Sequence, residues 1–261
     1  MAGSRTWLLT ALYWVFAAYL FIPIAVMVAM SFKDSRFIGF PIENWTLNWY
    51  LVVVRDAEMM GAFGYSVLIA VAATVLSLAI GLLTALMLGP VRFWGKSALF
   101  AVMALPAVIP GVISGISLRL FIRVLDLEPG TAAIILGHTV HNVPFVTIML
   151  LTRLNAMPVS LVEAAKDLGA DEVVTFFRVT LPFLMPAVFG ACMFSLLISF
   201  DDFIRSFFLG GYEPTLPVLI FSMLRSGMSP EINAISTAVL VVTAGLGLYA
   251  ERYTRRLRSR S

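Results

Sequence analysis

Cysteine occurs once in these 261 residues, at Cys192, so no internal disulfide can form and the residue says nothing about redox compartment. Histidine occurs only as His138 and His141. No glycine-rich phosphate loop ending in Gly-Lys-Ser or Gly-Lys-Thr is present, so a bound nucleotide would have to sit on another chain. Charge is scarce as well: 13% of residues are charged, 60% are hydrophobic and the net charge is +3. A soluble domain of this size could not solvate such a surface, because its exterior would be one large apolar patch. Nor does +3 point to nucleic acid, and no low-complexity stretch or break in composition marks a second domain.

What the chain has is apolar sequence in long uncharged runs. Arg5 to Lys33 brackets 27 uncharged residues, Glu58 to Arg92 brackets 33, and Lys96 to Arg119 brackets 22. Glu128 to Arg153 brackets 24, Arg178 to Asp201 brackets 22, and Glu231 to Glu251 brackets 19. A helix needs roughly 20 apolar residues to cross the hydrocarbon core, where every backbone group must be satisfied internally. The expectation is an all-α polytopic membrane protein, a single transmembrane domain over residues 1–261 with six spans near 7–30, 63–88, 97–118, 131–151, 183–200 and 232–250. The first run is too long for a signal-peptide core and lacks a small-residue cleavage site, so it is predicted to stay on as a helix. A seventh stretch, Ser206 to Leu224, is cut by Gly210, Gly211, Pro214 and Pro217 and reads as a loop dipping toward or lying on the membrane.

Orientation follows from the basic residues. With the N-terminus cytoplasmic, the inside segments hold 11 of the 18 lysines and arginines, five of them the tail residues Arg252, Arg255, Arg256, Arg258 and Arg260. The outside segments hold 10 of the 15 acidic residues. Both termini are expected inside, with the tail held against an anionic leaflet. Trp45, Trp49 and Tyr50 are placed as an outer interfacial belt would be. Ala70, Thr74, Ser77, Gly81 and Ala85 form a small-residue stripe along which another helix can approach closely. Pro106, Pro110, Gly111 and Gly115 interrupt the third run, which is tolerated only where protein or a water-filled cavity covers the freed backbone.

The segment 153–182 between the fourth and fifth spans is too long for a turn and too regular for a linker. Leu161, Val162, Ala165 and Leu168 recur at helical spacing after Pro158, a good first-turn residue. Gly169 reads as a left-handed C-cap, Asp171 as the N-cap of a second short helix, and Pro182 as its end. The segment holds Glu163-Ala164-Ala165, then Gly169, then Val179-Thr180-Leu181-Pro182, and so resembles the EAA loop of importer-type ABC permeases, with valine for the usual isoleucine at Val179. The resemblance covers nearly the whole chain. Ser199-Phe200-Asp201-Asp202-Phe203, Thr215-Leu216-Pro217 and Ser229-Pro230-Glu231-Ile232-Asn233-Ala234 are similar to the second, shorter permease of spermidine/putrescine importers, as are Leu161 to Ala170 and Pro144-Phe145.

That resemblance implies a type I, MetI-like importer permease fold in the bacterial inner membrane. It implies a second homologous permease as heterodimer partner, two cytoplasmic ATP-binding subunits and a periplasmic or extracellular substrate-binding protein. ATP and Mg would be bound by the ATPase, with no cofactor or metal in this chain. Glu163, Ala164, Ala165, Asp167, Gly169, Leu181 and Pro182 would form the ATPase-coupling loop, docking in a cleft of the ATPase. Asp201, Asp202 and Glu231 would line the substrate pathway or its gate.

The residues themselves narrow the last point. A bare charge in a span costs at least a few kcal/mol, so the two aspartates face protein or water. Neighbours on a helix point about 100° apart, so one would face the pathway and the other a packing partner. Glu213 adds to the same outward acidic surface and would help to steer cations. Arg119, Arg123 and Arg205 sit on the same outer half. They either pair with Asp201, Asp202, Asp126 or Glu128 as a closed gate, or they receive a solute that carries a carboxylate beside its amine, and the sequence leaves both open. His138 and His141 share one helix face without a cysteine or carboxylate at matching depth, which favours packing or hydrogen bonding over a metal site or proton relay. An intramembrane enzyme would need a nucleophile and base inside the spans. A stand-alone secondary transporter would need midplane charges and repeats, and would leave the 153–182 segment without a purpose.

Overall fold

The computed structural model describes residues 2–35, 39, 41–89, 93–227 and 229–258. Arg92 and Arg260 of the basic flank lie outside the described residues, as do the side chains of Arg5, Arg255, Arg256 and Arg258. Among the described residues the architecture is all-α. Five helices are long and apolar enough to cross a membrane, and there are six spans if one sharply bent pair counts as one. The chain forms two units, Met1–Met60 with Leu219–Val242 and Gly61–Val218 with Thr243–Ser261.

In the first unit α1 (Ala2–Ser31) buries none of its apolar window within the chain. Its end is tied to α2 (Asn48–Arg55) through Ser31 Oγ, 2.7 Å from Tyr50 Oη, while Trp49 Nε1 donates to Lys33 O at 2.7 Å. Trp49 and Tyr50 therefore spend their polar atoms on the chain itself, whereas Trp45 is exposed. Asp56 opens α3 (Ala57–Leu88), its Oδ1 accepting from the backbone N–H of Glu58 and Met59. The last helix, α12, spans Pro230–Arg258.

The second unit is built on the small-residue stripe. Ala70, Thr74, Ser77, Gly81 and Ala85 of α3 are all buried. They meet α6 (Thr131–Asn155) and α9 (Leu181–Phe200), where Ala85, Val146, Leu150 and Ala191 form one apolar cluster. Across it Thr74 Oγ1 donates to Ser195 Oγ at 3.1 Å, and Asn142 Nδ2 donates to the same oxygen at 3.0 Å. Such interhelical bonds average about 0.6 kcal/mol each in a bilayer, so they add modestly to the close packing that the small residues allow.

The third run departs from the single span expected at 97–118. It divides into α4 (Lys96–Val108) and α5 (Gly111–Val124), bent by 109°. Pro110 fixes its own φ and drives Ile109 to extended backbone at ψ 129°, so the helix stops and a new one starts from Pro110. Pro106, by contrast, is accommodated inside α4. The stretch 206–224 also differs from the expected loop. It holds the end of α10 (Phe203–Leu209) and nearly all of α11 (Leu216–Ser226), with Gly210 to Thr215 as the break. Pro217 sits in the first turn of α11, where its missing N–H is harmless. Helix α10 is wedged onto α5 and α6: a Cβ on Gly115 would come within 2.7 Å of Phe208 Cδ2, and Leu209 fills the space above Gly137. Leu209 O accepts from Gly130 N at 2.9 Å, tying the end of α10 to the start of α6.

Candidate functional site

Two places concentrate the chemistry, one at each end of α9. At its start lies an elbow. Helix α7 (Val159–Asp167) ends with Gly169 at φ +83°, a left-handed backbone that disfavours any side chain. Gly169 N donates to Lys166 O at 2.8 Å and Ala170 N to Ala165 O at 3.0 Å, the paired bonds of a Schellman stop. Asp171 then caps α8 (Glu172–Thr175), its carboxylate accepting from Val174 N at 2.7 Å.

The second short helix does not close at Pro182. It runs through a π-helical turn, Phe176–Thr180, straight into α9, so Glu172 to Phe200 is one 29-residue rod. Leu181 N reaches back to Phe176 O, and Pro182, which has no N–H to give, follows in the first turn of α9. Glu163, Ala164 and Asp167 are exposed on α7 and Ala165 is half-buried; Leu181 and Pro182 open α9 directly after the π-helical turn. The elbow also bares apolar side chains, with Val159 70%, Leu168 89% and Val173 64% exposed. A cavity of about 500 Å³ lies behind it, between Leu86, Leu154, Val162 and Phe176.

At the other end of α9 is a buried polar cluster. Asp201 caps α9 and Asp202 starts α10. Asp202 Oδ1 accepts from Arg205 N at 3.0 Å, and Oδ2 accepts from Arg205 Nη1 at 2.7 Å, both side chains being 6% exposed. Arg205 Nη2 lies 2.9 Å from His141 Nδ1. A guanidinium only donates, so Nδ1 is the acceptor and His141 carries its proton on Nε2. His138, one turn earlier on α6, has Nδ1 2.7 Å from Ser199 Oγ and Nε2 3.1 Å from Ser206 Oγ. The histidines thus hydrogen-bond, as their shared face suggested. Their partners come from 61 or more residues down the chain, where the sequence of the fourth run alone gave no sign of them.

Asp201 and Asp202 both border an open cavity of about 550 Å³, together with Leu197, Ile198 and Ile204. Asp201 is exposed there, and no hydrogen bond or ion pair engages its carboxylate among the described residues. Of the outer arginines only Arg205 is ion-paired among the described residues; Arg119 Nη1 is buried without a partner. Glu231 stands in the first unit, in the first turn of α12, 3.4 Å from Ser229 Oγ. Glu213 is exposed in the turn between α10 and α11. Gly95-Lys96-Ser97 opens α4, but Pro90 stands where a phosphate loop needs its first glycine, and Lys96 Nζ donates to Gly89 O at 2.9 Å. No group of three or more His, Cys, Asp or Glu residues suited to a metal occurs among the described residues.

Residues 77–261 match the family described as binding-protein-dependent transport system inner membrane component. The chain is 35% identical over 255 residues to the spermidine/putrescine transport system permease protein PotC of Haemophilus influenzae, covering 97% of this chain and 98% of that one. It is 34% identical over 240 residues to the putrescine transport system permease protein PotI of Escherichia coli, covering 89% and 85%. Among solved structures it resembles a bacterial ABC transporter involved in the import of the acidic polysaccharide alginate, with a TM-score of 0.75 at 18% identity over 97% of this chain and 96% of that one. It also resembles the MetNI methionine ABC transporter, with a TM-score of 0.65 at 19% identity over 81% and 99%. At such identities the structural likeness speaks for the fold alone.

Proposed function

The chain belongs to the family of binding-protein-dependent transport system inner membrane components, and from that premise we propose that it is the second permease of an ATP-driven polyamine importer. It is a multi-pass permease subunit and not an enzyme. Its work requires an ATPase, a substrate-binding protein and a paired permease. In the arrangement proposed here there are two ATPase subunits, which bind the ATP and Mg, and one homologous but different permease. Both termini and the 153–182 elbow face the cytoplasm.

The observation that carries the coupling role is the elbow. Its glycine stop, its capped second helix and its bare apolar residues make a knuckle that nothing among the described residues covers. Glu163, Ala164, Ala165, Asp167 and Gly169 form the docking side, and Leu181 and Pro182 join it to α9. ATP-driven closure of the partner subunits moves this knuckle, α9 follows, and the cavity beside Asp201 and Asp202 changes the side to which it opens. One carboxylate of the Asp201–Asp202 pair, together with Glu231, attracts an ammonium-bearing solute released by the binding protein, while the other faces a packing partner.

The test is uptake of labelled putrescine and spermidine by cells expressing the whole transporter with or without this chain. Saturable uptake that depends on the chain is expected. Uptake of neither amine by the intact system would overturn the polyamine assignment and leave a zwitterionic amine, such as an amino acid, as the solute to try next, since arginines share the outer half with the acids.

A further inference from the structure

Asp201 and Asp202 are adjacent, yet their carboxylates are in opposite circumstances. Both oxygens of Asp202 are engaged, one by the backbone N–H that starts α10 and the other by Arg205 Nη1. Arg205 has no other carboxylate within salt-bridge distance among the described residues; its remaining contact is the neutral His141, and its Nε is buried without a partner. A solute ammonium that took Asp202 would strand this guanidinium, a far worse arrangement than the pair it replaced. Asp201, one residue earlier, has no such partner and is exposed to the cavity. His138 fastens the same turn from both sides, since its two ring nitrogens engage Ser199 before the turn and Ser206 after it.

We propose that Arg205 and His141 are positioning residues that make Asp202 the structural counter-ion of α10, leaving Asp201 as the carboxylate of the pair that meets the transported cation. The last clause rests on the cationic-solute reading above. The Asp202–Arg205 pair carries no net charge, and each Asp202 oxygen already accepts a hydrogen bond from Arg205. Its role is to hold α10 against α6 so that the preceding residue turns outward.

A charge-cancellation series separates the two aspartates. Asp202→Asn, Arg205→Gln, the double variant and Asp201→Asn are made in the complete transporter, and both the assembled complex and putrescine uptake are measured. Asp202→Asn and Arg205→Gln each leave a buried charge uncompensated, so each should lower the assembled complex by roughly tenfold or more. The double variant removes both charges and should return assembly and uptake to within about threefold of the parent. Asp201→Asn should assemble normally, lose most of its uptake, and gain nothing from added Arg205→Gln. The proposal is overturned if the double variant assembles but does not transport, because Asp202 would then be a solute contact. It is overturned equally if both single variants assemble and transport like the parent. Assembly is read without any solute, so a parent that imports neither putrescine nor spermidine sinks the substrate reading alone.

Discussion

Gly169 is held at φ +83°, where a Cβ costs about 1–2 kcal/mol, so Gly169→Ala should loosen the elbow without unfolding a protein whose spans are untouched. Gly169→Asp adds a charge to the same strained site and Glu163→Ala removes one from the docking side. Both should leave the complex inserted at parental amounts while uptake and binding-protein-stimulated ATP hydrolysis fall by about tenfold, or about 1.4 kcal/mol of coupling. Parental hydrolysis and uptake in either variant would remove that residue from the coupling role. Gly169 and Asp171 were legible in the sequence because caps are local: glycine after a periodic run and aspartate before one carry their own reasons. Pairing of Arg205 with Asp202, three residues away, was one of the alternatives the sequence left open, but its second partner, His141, is 64 residues away and gave no local signal.

Among the elements, α10 is the one whose seat depends most on missing side chains. Phe208 lies over Gly115 and Leu209 over Gly137, so Gly115→Val forces Phe208 off its place. Overpacking of this kind costs about 1–3 kcal/mol, and the purified complex should melt several degrees lower, with uptake reduced because α10 carries Arg205. An unchanged melting point would mean that α10 tolerates displacement. Run lengths revealed the long apolar helices, five or six of them, because hydrocarbon thickness sets that length. They could not reveal direction. Pro106 and Pro110 look alike in a hydropathy reading, yet one rides inside α4 while the other starts α5 after a 109° bend. Likewise Gly210 to Thr215 signalled a break, but the apolar residues on either side satisfy their backbones as two short helices, which a loop at membrane depth could not do.

For the whole molecule, sidedness is the testable property. Cys192 is the sole cysteine, so Cys192→Ser gives a blank background for labelling. With the proposed orientation, Leu168→Cys should react with a membrane-impermeant maleimide only in inside-out vesicles, and Tyr212→Cys only in intact spheroplasts; both positions are almost fully exposed. Labelling of both from one side would reverse or refute the topology drawn from the arginine count. That count used side chains of the tail and of Arg92, so the sequence argument for orientation leans on residues other than those that shape the site.

The continuity of Glu172 to Phe200 has a mechanical meaning. A rod of 29 residues is about 43 Å long at about 1.5 Å per residue, with the glycine elbow at one end and Asp201 just past the other. Because the π-turn joins α8 to α9 without a flexible hinge, the element behaves as a lever. A tilt of only about 5° about its near end would sweep its far tip through about 4 Å, the width of an ammonium group and its first contacts. If the elbow couples to the ATPase as proposed, a small displacement there becomes an opening or closing of the cavity beside Asp201.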